Sequence, residues 1–77
     1  MAGLRMVELA GRRFTAVCVR SGGLWRIEAP ANQSARLPVL VAGDRCGLTV
    51  DGEEVEVEVM TAGRIGEVIR FVLLPLS

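Results

Sequence analysis

Three groups of side chains in this 77-residue chain have the types and spacing to do chemistry. Glu54, Glu56 and Glu58 alternate with Val55, Val57 and Val59. Carboxylates at i, i+2 and i+4 are of a kind to ligate a divalent cation. On an extended segment their Cα atoms lie about 7 Å apart, from roughly 3.4 Å of rise per residue, which is too open for a compact site without ligands from elsewhere. They are read as the wet face of a strand, where charge discourages edge-to-edge aggregation. The adjacent Arg12 and Arg13 offer guanidinium forks that match anionic oxygens. Neighbouring residues on a strand point to opposite faces, so the pair is not expected to converge. Asn32, Ser34 and Arg36 fall in a polar stretch whose residues suit a recognition surface and equally suit turn chemistry. Together Arg12, Arg13, Asn32, Ser34 and Arg36 are the candidate interaction residues. Glu67 stands among apolar neighbours, as a proton-binding carboxyl would, but it has no second titratable partner.

Nothing in the chain completes a catalytic set, so no catalytic, cofactor-binding or metal-ligating residues are assigned and no enzyme activity is expected. Histidine and tyrosine are absent. This removes histidine acid–base catalysis, Ser-His and Cys-His nucleophiles and histidine-bound metals. Cys18 and Cys46 are too few for a disulfide scaffold and form no CxxC pair, so they are read as buried free thiols. The aromatic residues are Phe14, Trp25 and Phe71 alone, and net charge is zero. A nucleic-acid surface wants clustered cations with exposed aromatics, so nucleic acid is not an expected partner and Trp25 is read as a core anchor.

Charge is unevenly placed. Residues 1–38 carry six arginines and two acids, for +4; residues 39–77 carry three arginines and seven acids, for −4. The balance suggests arginine-bearing strands beside a glutamate-bearing one, or two faces of opposite sign that dock head to tail. All nine cations are arginine. The 51% hydrophobic content is high for so short a chain and points to apolar surface that stays exposed or is covered by a partner. The first residues have no continuous apolar segment of the signal-peptide kind, and no apolar run is long enough to span a membrane, so a cytoplasmic protein is expected.

The elements that must position these side chains are strands. Asp51-Gly52 readily takes the positive φ angles of a type I′ hairpin turn. Residues 46–50 and 53–60 flank it, with Val55, Val57 and Val59 on the dry face. Residues 4–9 form a first strand, and Ala10-Gly11 turns the chain. Residues 12–20 form a second strand, with Phe14, Ala16 and Cys18 on one face and Thr15, Val17 and Val19 on the other. Ser21-Gly22-Gly23 leads to residues 24–29, where Trp25, Ile27 and Ala29 face inward. Residues 30–38 form the one long loop, with room for a helical turn. Val39, Leu40 and Val41 make a short apolar step towards a turn at residues 42–45. Ala62-Gly63 is expected to turn the chain into a last strand at 65–74, with Gly66 marking a bulge and Pro75 ending it. The whole reads as one all-β domain over residues 1–77, a small antiparallel barrel or split barrel of six to seven short strands.

The order of these features resembles a known family. RFTAVCVRSGGLWRIEAP, then a loop, then LPVLVAGDRCGLTV, then an alternating strand and a closing VLLPLS, is similar to the N-terminal split barrel of the bacterial flagellar-brake proteins. That barrel precedes a PilZ domain, the module that binds cyclic di-GMP. The PilZ barrel itself has a similar rhythm. The likeness spans about residues 10–76 and rests on pattern. PilZ domains hold their ligand through Arg-x-x-x-Arg and Asp/Asn-x-Ser-x-x-Gly; the first is absent here, and Asn32-Gln33-Ser34-Ala35-Arg36-Leu37 has leucine where the glycine belongs. No ligand residues carry over, and cyclic di-GMP binding stands only as an alternative. Residues 62–69, AGRIGEVI, resemble the small β-rich domains of the flagellar-switch and type III secretion sorting-platform family, which dimerise by intertwining strands. The resemblances imply a non-enzymatic interaction module of a motility or secretion assembly, with a protein partner or a second copy.

Overall fold

The computed structural model describes residues 3–76. Six strands form: β1 (Leu4–Leu9), β2 (Arg12–Ser21), β3 (Leu24–Pro30), β4 (Arg45–Val50), β5 (Glu53–Ile65) and β6 (Val68–Pro75), with a 3₁₀ helix, η1 (Ala31–Arg36), between β3 and β4. All pairings are antiparallel, and the strands close into a barrel in the order β1-β2-β3-β6-β5-β4. Closure removes most of the unpaired edge that an open sheet of this size would expose.

The local reasons are visible in the turns. Ala10-Gly11, Gly22-Gly23 and Asp51-Gly52 each place two successive residues at positive φ, between 52° and 80°. That is the type I′ signature, whose twist suits the strands it joins. Only the first residue of Gly66-Glu67 has positive φ, at 60°, as in a type II′ turn.

The alternation read from the sequence delivers the core. Every strand buries two residues at i and i+2: Val7 and Leu9, Phe14 and Ala16, Ile27 and Ala29, Leu48 and Val50, Val57 and Val59, Phe71 and Leu73. Phe14 and Phe71 meet across the interior at 6.4 Å between ring centroids. A thirteenth core residue, Leu37, comes from outside the sheet and closes the barrel at the η1 end. No polar or charged residue is buried among the described residues, so the interior needs no internal hydrogen bonds.

Four local expectations are corrected. Ala62-Gly63 is not a turn: β5 runs straight through it to Ile65, and the chain reverses four residues later at Gly66-Glu67. Gly66 is therefore a turn residue. The bulge lies between Val59 and Thr61, where Met60 has no partner on β6. Beyond it, residues 61–65 of β5 pair with residues 68–72 of β6, which pair with β3 on their other side, so this end of β5 is an outer strand with no β4 partner. Trp25 faces inward but is only half-buried at the opposite end, with the Arg20 guanidinium 5.1 Å from its ring centroid. It is a mouth residue with a cation stacked on it rather than a core anchor. Cys18 and Cys46 are free, as read, but half-buried. Residues 38–41 form no strand, and Val39 is 96% exposed.

Candidate functional site

The β3–β4 connection decides what the η1 end of the barrel looks like. β2 pairs with β3 from Val17↔Glu28 to Ser21↔Leu24. Continued by two residues, that register would set Thr15 opposite Pro30, which has no N–H to give. The chain leaves the sheet there instead. Gln33 of η1 takes over the vacated edge. Its amide Nε2 donates to the Thr15 carbonyl oxygen at 2.9 Å, and its Oε1 accepts from the Thr15 N–H at 3.1 Å. One side-chain amide thus stands in for the peptide group of a missing strand. The start of η1 is held from the other side, where the Ala31 N–H donates to the Glu67 carbonyl at 2.8 Å. Downstream, Gly43 N–H donates to Val59 O at 2.8 Å and Val59 N–H to Asp44 O at 2.7 Å. These bonds pin the connection across the barrel end, with Leu37 plugging the core beneath it.

Two hollows flank η1. On one side Arg12, Arg13 and Arg36 surround a shallow, open hollow of about 500 Å³ with Glu8, Gly11 and Ala35. Arg12 and Arg13 do line one surface after all: they sit where β2 leaves the Ala10-Gly11 turn, and both border this hollow. Arg13 is shared with Glu8, Nε to Oε1 at 3.4 Å. Arg12 and Arg36 have no ion pair among the described residues. On the other side lies an apolar groove of about 240 Å³ between residues 37–40, the end of β5 at residues 62–64, and Ile69 and Phe71 of β6. Leu37, Val39, Leu40, Ile69 and Phe71 supply its carbon surface, and Ser34 and Arg64 sit among its walls. Arg64 is fixed by its own Nε–H donating to the Gly66 carbonyl at 2.9 Å.

Of the five candidate residues, Arg12, Arg13 and Arg36 are brought together, Ser34 lines the groove across the η1 ridge, and Asn32 is exposed and lines neither hollow. Glu67 is exposed in the β5–β6 turn, where its backbone carbonyl, not its carboxyl, holds η1. Sequence reasoning missed the two determinants of this end, Gln33 and Leu37. The only available signal for Gln33 was a long polar side chain just beyond a strand-ending proline.

Elsewhere some of the charges are partnered. Arg70 and Arg26 flank Glu28 at 2.8 and 3.7 Å, Arg45 reaches Glu58 at 3.5 Å, and Arg5 bonds Asp51. On the glutamate-bearing β5 only Glu58 finds an arginine; Glu53, Glu54 and Glu56 have none among the described residues. No cluster of three or more metal-type side chains forms among the described residues, Glu54, Glu56 and Glu58 included. Burial pushes the Cys18 thiol above its ordinary value, with Arg5 opposing and Asp51 adding to the shift. Burial does the same at Cys46, helped by Asp44 and Glu56 and opposed by a backbone hydrogen bond at Ala10. No helix among the described residues is long and apolar enough to cross a membrane.

What these features define is a small closed β-barrel whose one irregular connection builds a two-part surface, cationic on one flank and apolar on the other. Compared with known proteins, the chain matches no family model, no curated protein and no solved structure.

Proposed function

We propose that this chain is a non-enzymatic protein-interaction module that docks through the η1 end of its barrel. The observation that carries the reading is the convergence of Arg12, Arg13 and Arg36 beside an apolar groove, across one short helix. Protein interfaces combine an apolar centre with a polar rim in which arginine is enriched, and this end presents both within one footprint. Val39 lines the groove although it is 96% accessible, and Val41, two residues on, is 63% accessible. The six-stranded barrel is compatible with a PilZ-like module; on that likeness the partner is a component of a flagellar or secretion assembly met in the cytoplasm, or a second copy of the chain.

A photo-crosslinking residue placed at position 39, with light scattering of the purified protein, tests the reading. The expected result is a discrete crosslinked species in cells, or self-association at micromolar concentration. A strictly monomeric protein with no discrete crosslink overturns it.

The arginine cluster also favours a second reading, a PilZ-like regulator holding an anionic nucleotide such as cyclic di-GMP. Calorimetry separates the two: heat of binding that is lost in Arg12→Ala/Arg36→Ala supports the regulator, and silence at high micromolar nucleotide removes it.

A further inference from the structure

We infer that the η1 end takes an extended, acidic peptide segment with one large apolar side chain: the side chain fills the groove, and carboxylates that follow it reach Arg12, Arg13 and Arg36. The inference rests on the proposed docking role and names the chemistry of the partner. Three features of this end select it.

The first is the size and lining of the groove. At about 240 Å³ it falls below the roughly 300–1,000 Å³ typical of small-molecule sites, and its walls are mainly aliphatic. A space of that kind receives one side chain rather than a nucleotide. The second is the unspent charge. Arg12 and Arg36 have no ion pair among the described residues, while Arg13 is already shared with Glu8 at 3.4 Å, so the hollow has cationic capacity for more than one carboxylate. Forked guanidinium groups bind carboxylates in two-point geometry. The third is the ridge between the two. Ser34 lines the groove and Ala35 and Arg36 line the hollow, so a ligand touching both must cross η1. A helix is about 10 Å across with its side chains, and an extended peptide rises about 3.3 Å per residue, so the anchor and the first acid stand about three residues apart.

A nucleic acid fits this end poorly. It would stack bases on exposed aromatic rings, and here Phe14 and Phe71 are buried while Trp25 lies at the opposite end beneath Arg20.

The test is fluorescence anisotropy with a labelled twelve-residue peptide carrying one phenylalanine and, starting three residues after it, three consecutive glutamates. Saturable binding is expected below about 100 µM peptide, weak as suits a small interface. It should weaken several-fold between 50 and 500 mM salt, because exposed ion pairs are screened. Arg12→Ala/Arg36→Ala should raise the dissociation constant about fivefold to tenfold, from the few-fold worth of each exposed pair. Val39→Asp should abolish binding; the residue is 96% exposed, so the fold is not at stake. A peptide with the phenylalanine replaced by serine should not bind.

No binding of the acidic peptide at 1 mM overturns the inference. So does tighter binding of a twelve-base oligothymidylate that survives Val39→Asp, which would make the occupant a nucleic acid. Self-association of the protein alone that is lost in Val39→Asp would make it a second copy. In that last case, or if the peptide fails while a crosslink from position 39 persists, the docking role stands and only the partner chemistry falls.

Discussion

Replacing Gln33 isolates the bond pair that closes the β2 edge. Its side chain makes two hydrogen bonds, both to the backbone of Thr15 and both partly buried. A typical intramolecular hydrogen bond contributes about 0.5–1.5 kcal/mol net, so the pair stabilises by about 1–3 kcal/mol. Freeing a glutamine side chain from one rotamer returns up to about 1.5–2 kcal/mol of conformational entropy, which offsets part of that loss. Gln33→Ala should therefore destabilise by about 1 kcal/mol, within a total that is roughly 3–5 kcal/mol for a core of this size. Urea denaturation measures the change, and amide exchange by NMR locates it: the Thr15 N–H should lose protection far more than the Val57 N–H in the barrel wall. Gln33→Glu sharpens the argument. Its carboxylate can accept from the Thr15 N–H but sets a second oxygen against the Thr15 carbonyl, where only a protonated carboxyl can donate. That arrangement raises the folded-state pKa above the unfolded value of about 4.3. Stability is then fully present below that unfolded value and falls as pH rises through the folded one, so the variant should approach wild type near pH 3.5 and fall behind it by pH 7. Unchanged Thr15 protection in Gln33→Ala, or a Gln33→Glu deficit that does not depend on pH, would refute the edge-capping account.

Leu37→Ala should cost about 2–4 kcal/mol by opening a cavity beneath η1, because the leucine is 7% exposed and sits in the core cluster; thermal unfolding reads the loss. Ala10 sits at φ 52°, a left-handed conformation that costs an L-residue about 1 kcal/mol, so Ala10→Gly should stabilise slightly despite the added chain entropy of glycine; a lower urea midpoint would contradict the assigned turn. Cys18 and Cys46 both have thiols pushed up by burial, so absorbance at 240 nm should show thiolate forming at higher pH in the folded protein than in urea. The folded-state value is the raised one, so the thiols favour the fold below the ordinary thiol range and that contribution is lost as pH rises through the raised value; Cys18→Ala/Cys46→Ala should flatten this alkaline decline.

The split of charge along the chain suggested arginine-bearing strands beside the glutamate-bearing one or two faces of opposite sign, and in the folded barrel the pairing is local and partial. Glu28, alone among acids between Arg20 and Arg36, is flanked by Arg26 on its own strand and by Arg70 from forty-two residues away. The glutamates of β5 were legible as an outer face because strand alternation is local. Their lack of arginine partners was not, since that depends on which strand lies beside β5, and β4 offers Gly47 and Thr49 opposite Glu56 and Glu54. The misplaced last turn has a similar cause. Ala62-Gly63 and Gly66-Glu67 both permit reversal, and β6 decides between them by pairing with every residue of β5 from Thr61 to Ile65.

Read alone, the sequence was enough to specify the all-β class, the hairpin at Asp51-Gly52 and the inward residues of β3 and β5. These follow from backbone preference and period-two alternation, which act over a few residues. Closure of the barrel, the plug at Leu37, the pairing of Gln33 with a backbone eighteen residues away, and the gathering of Arg12 and Arg13 with Arg36 belong to the tertiary structure. Each joins segments that share no local pattern, and their meeting is set by how six strands tilt and close around one core, which brings the β1–β2 turn and the β3–β4 connection to the same end.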